Sequence, residues 1–171
     1  AKAVFSITRL GAERLKIAVI LRPCELRAVV ELVKVGQVNN ENLTLISFDC
    51  PGVLPTSVFL ADPEKQFKNF KESAKKLDDK IMRPVCQICD KSSMVAGDVH
   101  IGTLGAKKDT LFFISNSKKG EAIADKLGLS LKNNIDSWEE KVKTISEEKL
   151  KKRKKAHKEL KAKVGGIENL V

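Results

Sequence analysis

Hydrophobic residues along the chain alternate between two rhythms. After its lysine, KIAVIL (residues 16–21) is an unbroken apolar run of strand length, which predicts a strand buried on both faces. The run stops at Arg22-Pro23-Cys24. Leu26, Val29, Val30 and Val33 then recur at helical spacing, with Glu25 in the first turn and Gly36 as the stop. Residues 43–48 (LTLISF) predict the next strand, ending at Asp49-Cys50-Pro51. Strand, helix and strand with short connections read as a βαβ unit with a parallel pair. Residues 4–7 (VFSI) predict a further short strand.

Downstream, Asp62-Pro63 reads as a helix N-cap followed by a first-turn proline. The helix it opens places Phe67, Phe70, Ala74 and Leu77 on one face, with Lys75 and Lys76 in its last turn. Residues 99–103 and 110–115 predict two more strands, and 121–127 a short helix closed by Gly128. Ser137-x-x-Glu140 is a capping box that opens a long helix reaching about residue 163, ended by Gly165-Gly166. The expected fold is therefore α/β: a mixed or mostly parallel sheet flanked by helices, followed by a long basic C-terminal helix. The expected division is a domain over residues 1–130, then the helix and its linker over 131–171.

Charge sharpens this picture. The 171 residues carry a net +10. Residues 138–163 hold 11 Lys or Arg against five Glu, so +6 belongs to one helix and the rest of the chain is only weakly basic. Seven Phe, one Trp and no Tyr provide little stacking surface for single-stranded nucleic acid. No apolar run approaches the roughly 18–20 residues of a membrane helix. The start, AKAVFSITRLG, has neither an initiating Met nor a secretory leader, so we expect a piece of a longer, cytoplasmic chain.

Four cysteines, 24, 50, 86 and 89, are spaced C-x25-C-x35-C-x2-C. In a reducing compartment they are not expected to be disulfides. Buried unrelated thiols are the other plain reading, but Cys24 and Cys50 each follow a predicted parallel strand. Both would emerge at the carboxyl edge, where open α/β sheets bind ligands. Three of the four lie within two residues of a proline, Pro23, Pro51 or Pro84, which stiffens the local backbone. One ligand set is thus the favoured reading. A structural zinc site usually has two Cys-x-x-Cys knuckles, whereas a single knuckle joined by two lone cysteines suits an iron–sulfur cluster. Spacing leaves both metals open. Cys24 also lies near a helix start, where the dipole favours an anion.

Four motifs occur in order: RPCELRAVVEL (22–32), SFDCPG (47–52), RPVCQICD (83–90) and GDVHIGTLG (97–105). Together they resemble the beta subunits of the deazaflavin-coenzyme (coenzyme F420) hydrogenases and dehydrogenases, formate dehydrogenase beta chains included, over residues 17–129. The resemblance implies a 4Fe–4S cluster on Cys24, Cys50, Cys86 and Cys89 beside a bound flavin, FAD rather than FMN. It further implies hydride exchange between that flavin and the deazaflavin coenzyme, and single electrons leaving through the cluster to partner subunits of a hydrogenase or formate dehydrogenase complex. Arg22, Pro23, Gly97, Asp98, Gly102 and Gly105 fall on the family's flavin side. Glycines there permit close backbone approach, although plain turn glycines would read the same. Asp98 could bond a ribose or backbone amides, or merely cap a strand entry. His100, alternating with Val99 and Ile101, is expected to face solvent. No residue is singled out as catalytic. The family's N-terminal portion is not in this sequence, so the chain is expected to be inactive by itself.

The long helix is expected to be a solvated amphipathic helix, with Trp138, Val142, Ile145, Ala156 and Leu160 as a thin apolar stripe and His157 at the surface. Its KKRKK run (151–155) supplies the rival reading, a zinc-stabilised nucleic-acid-binding module. Against that rival stand the few aromatics and the lack of a nucleic-acid-binding motif. A third reading is a linker domain that docks subunits and holds no cofactor.

Overall fold

The computed structural model describes residues 1–9, 15–76, 78–107, 109–130 and 134–164. The expected stop at Gly165-Gly166 and the place of Leu77 lie outside them. The chain divides into two compact units: residues 1–50 with 93–142, and residues 51–92 with 143–171.

The first unit is built on a four-stranded sheet in the order β1 (Ile17–Leu21), β2 (Leu43–Phe48), β3 (Val99–Gly102) and β4 (Phe112–Ser115). β1, β2 and β3 run parallel, and β4 returns antiparallel to β3. This is the mixed, mostly parallel α/β sheet read from the sequence. Helix α2 (Pro23–Lys34) links β1 to β2 and buries Leu26 and Val29 against Leu21, Leu43 and Leu45. Sealing five such aliphatic side chains from water, at roughly 1.5–3 kcal/mol each, is the main force holding helix to sheet.

Residues 4–7 are not a strand but part of helix α1 (Lys2–Thr8). Val4 and Thr8 lie one turn apart and are both buried, and the Thr8 hydroxyl donates to the Val4 carbonyl at 2.9 Å. The run is rich in β-forming residues, yet the buried ones follow the four-residue helical spacing. β1 is likewise not buried on both faces. It is the edge strand, with Ile17, Val19 and Leu21 packed toward the helices and Ile20 69% exposed. Helix α6 (Lys118–Lys126) starts three residues earlier than its apolar pattern suggests, because the Ser117 side chain caps it by accepting the Gly120 N–H.

The second unit contains three helices, α3 (Thr56–Ala61), α4 (Pro63–Lys76) and α5 (Pro84–Gln87), and most of α7 (Asp136–Val164). α3 and α5 carry no periodic apolar pattern that would announce them. Asp62 caps α4, as expected, accepting the Lys65 N–H at 3.1 Å. The α4 face is thinner than its spacing implies: Phe70 and Ala74 are half-buried, whereas Phe67 is exposed with Lys71 Nζ lying 4.3 Å from its ring centroid. The stripe on α7 is buried only toward its start, at Trp138 in the first unit and Ile145 in the second; Leu160 is exposed. No helix among the described residues is long and apolar enough to cross a membrane.

Candidate functional site

In the first unit, β1 and β2 each deliver a cysteine at their carboxyl ends. Pro23 is the first residue of α2, so Cys24 is the second, and it is exposed. Pro23 itself is buried. Cys50 follows β2 by two residues and is half-buried. Arg22 ties the turn together: its N–H donates to Glu25 at 3.0 Å, and its guanidinium pairs closely with the other Glu25 oxygen. That hydrogen bond pulls the Glu25 carboxyl down to about 2 and raises Arg22 above its ordinary range; Cys24 and Cys50 also add to the Arg22 shift. One guanidinium therefore lies within electrostatic reach of both thiols, at the edge the sequence selected.

In the second unit, Cys86 sits in α5 and the Cys89 N–H points back to the Cys86 carbonyl at 3.4 Å. The loop after Cys50 packs on this knuckle. Arg83 donates its backbone N–H to Val53 and its Nε–H to Leu54. Gly52, at φ +124°, has Cys86 Cβ 3.3 Å from the place its own Cβ would take. Met82 Cγ would lie closer still, at 2.9 Å, so a left-handed glycine without a side chain suits this crowded position. Lys149 of α7 donates to the Cys86 carbonyl at 2.9 Å and pairs with Asp79 at 2.8 Å. Burial pushes the Asp79 carboxyl up, but the Lys149 and Lys152 bonds outweigh it and hold the group below its usual value.

The donor set suits a thiophilic centre: four thiols and no disulfide. Two of them belong to each unit, and within neither unit do three His, Cys, Asp or Glu side chains, among the described residues, gather to hold a metal ion.

GDVHIGTLG has a packing reason for each of its glycines. A Cβ on Gly97 would lie 2.8 Å from the Leu45 carbonyl oxygen, on Gly102 2.7 Å from the Trp138 indole nitrogen, and on Gly105 2.7 Å from the Ser137 carbonyl oxygen. Asp98 receives the Leu45 N–H at 2.8 Å and the Ser117 hydroxyl at 2.6 Å, the backbone-amide role among its alternatives.

His100 does not face solvent. It is 0% exposed, with Nδ1 2.7 Å from Ser47 Oγ and Nε2 3.1 Å from Asp49 Oδ1. β3 is an interior strand with partners on both sides, so neither of its faces is guaranteed to be wet. Around His100 lies a polar network that sequence reasoning missed. Asp49 Oδ2 accepts the Thr103 N–H at 2.7 Å, the Leu104 N–H at 2.9 Å and Trp138 Nε1–H at 2.9 Å. Ser93 Oγ lies 3.1 Å from His100 Nε2, and the Trp138 ring is 5.4 Å from the imidazole. Burial pushes the Asp49 carboxyl up, but bonds from His100, Ser93, Leu104 and Thr103 pull it further down, below the usual carboxylate range. The signal available in the sequence was an ionisable residue, Asp49, closing the apolar strand LTLISF.

Geometry defines the class: an α/β unit of mostly parallel strands that presents two cysteines from the turns at its carboxyl edge, and a helical unit that carries a Cys-x-x-Cys knuckle. Residues 58–141 match the family described as the C terminus of the coenzyme F420 hydrogenase/dehydrogenase beta subunit. Two relatives agree. The F420-dependent formate dehydrogenase 1 subunit beta of Methanococcus maripaludis is 48% identical over 40 residues, 23% of this chain and 10% of that protein. The F420-dependent formate dehydrogenase subunit beta of Methanocaldococcus jannaschii is 27% identical over 136 residues, 64% of this chain and 36% of its own length. The chain therefore spans well under half of either relative.

Proposed function

We propose that this chain is the electron-transfer core of an oxidoreductase beta subunit, working with partner subunits of a formate dehydrogenase or hydrogenase. Cys24, Cys50, Cys86 and Cys89 would hold a 4Fe–4S cluster, next to a flavin, FAD rather than FMN, reduced by the deazaflavin coenzyme or a similar donor. Bound together, these groups supply the conversion of a two-electron hydride into single electrons. The observation that carries the proposal is that two neighbouring parallel strands, β1 and β2, deliver Cys24 and Cys50 at the same carboxyl edge of the sheet.

The residues have separable tasks. The thiolates would bind the metal, and the Arg22 cation, held in place by its bonds to Glu25, would offset negative charge on Cys24 and Cys50. Pro23 fixes the backbone ahead of Cys24, and Gly52 leaves room for the Met82 and Cys86 side chains beside it. Of the flavin-side set, Arg22 and Pro23 border the first cysteine, while Gly97, Asp98, Gly102 and Gly105 shape the backbone they stand on. The basic helix gives the nucleic-acid reading less than its composition suggests: Lys152 pairs with Asp79, and Arg153 with Asp90. These charges are partly spent on the unit itself.

Anaerobically prepared protein should be brown and contain about four iron and four sulfide per chain. Cys86→Ser should bleach the visible band. Stoichiometric zinc without iron under the same handling would overturn the redox reading.

A further inference from the structure

We propose that Asp49 is a positioning residue: through His100, Trp138 and the turn at Thr103–Leu104 it fixes the exit of β2, and so the direction in which Cys50 leaves the sheet. The inference rests on the reading of Cys50 as a ligand, but it concerns the protein's own bonds.

Asp49 is the residue next to Cys50 and is 3% exposed. Its N–H donates to the Ile101 carbonyl, which continues the parallel ladder one step beyond β2. Its side chain then collects donors from His100, Thr103, Leu104 and Trp138. A carboxylate that accepts several N–H bonds in a buried place cannot turn without leaving donors unpaired, each at a cost. The next peptide inherits that rigidity. His100 is held from behind by Ser47, itself 0% exposed and 3.0 Å from the Ala96 carbonyl. Trp138 is wedged in place by Gly102, beside which no larger residue fits. Among the described residues the bonds of this network reach none of Cys24, Cys86 and Cys89, yet the network ends on the bond that leads to Cys50. Cys24 stands on a different support, the start of α2, and shares none of these partners.

That contrast provides the test. The full chain is prepared anaerobically, stripped of iron with a chelator and alkylated with iodoacetamide, and the rates at Cys50 and Cys24 are compared by mass spectrometry. Asp49→Asn keeps the shape but weakens the acceptor, and it should change the Cys50-to-Cys24 rate ratio by about fivefold or more, the factor that corresponds to weakening the network by one ordinary hydrogen bond. Trp138→Phe, which removes one donor and keeps most of the packing, should move the ratio in the same direction, and it carries the test if Asp49→Asn does not fold by circular dichroism. Val4→Ala, a core variant in α1 that belongs to neither support, should alter both rates together. A ratio that stays at the wild-type value in Asp49→Asn and Trp138→Phe overturns the proposal. Absence of iron in the wild-type protein would instead refute the cluster reading and leave the ratio to decide this one.

Discussion

Gly102 and Trp138 show how much can depend on a missing side chain. An alanine at 102 would set its Cβ 2.7 Å from the indole nitrogen and 2.8 Å from its neighbouring ring carbon, so the indole has to move off Asp49. Overpacking of this kind costs roughly 1–3 kcal/mol. Gly102→Ala should therefore lower the melting midpoint and shift the fluorescence of the sole tryptophan toward that of a wetter ring. Gly128→Ala, strained by its φ of +66° but with nothing within 4 Å, should destabilise without moving the emission. An unchanged spectrum in Gly102→Ala would show that the indole does not depend on that gap. His100 teaches a related lesson. Its alternation with Val99 and Ile101 is legible, but alternation distinguishes two faces without saying which is dry.

Among the elements, α7 illustrates how a charge pattern is converted into structure. Lys149, on the helix face that continues from Ile145, is buried against Asp79, and Lys152 reaches the same carboxylate. Asp79 is held below its ordinary value of 3.8, so its contribution to stability is complete above that pH and is lost as the pH falls through the lowered value. Asp79→Asn should cost about 2 kcal/mol at neutral pH, the scale of hydrogen bonds to a charged group. It should also flatten the acid side of the stability–pH curve below about pH 4, measured by urea titration at stepped pH. A loss of stability that keeps the wild-type acid limb would refute the ion-pair account. Elements with long periodic signals are legible, as α2, β2 and α4 are. α1 reads as a strand because its seven residues span less than two turns, too few for the helical period to outweigh β-forming residues. α3 and α5, at six and four residues, lack a period altogether.

At the scale of the molecule, the sequence contains two kinds of information with different ranges. Net charge is a sum and needs no fold. Replacing the exposed Lys151, Lys154, Lys155 and Lys158 by Gln lowers it from +10 to +6 and should shift elution from a polyanion column to lower salt. The visible spectrum should stay unchanged, and its loss would put those lysines into the redox site. The parallel βαβ unit, the edge from which Cys24 and Cys50 emerge, and the Cys-x-x-Cys knuckle were also set by the sequence alone, because apolar periodicity and strand-end turns act over a few residues. Tertiary structure alone decided that Ile20 is exposed, that His100 is dry, and that Asp49 gathers donors from residues 51 to 89 positions away. The reason is physical: whether a polar group can be buried depends on partners that only the completed packing brings within 3 Å, and no local pattern encodes them.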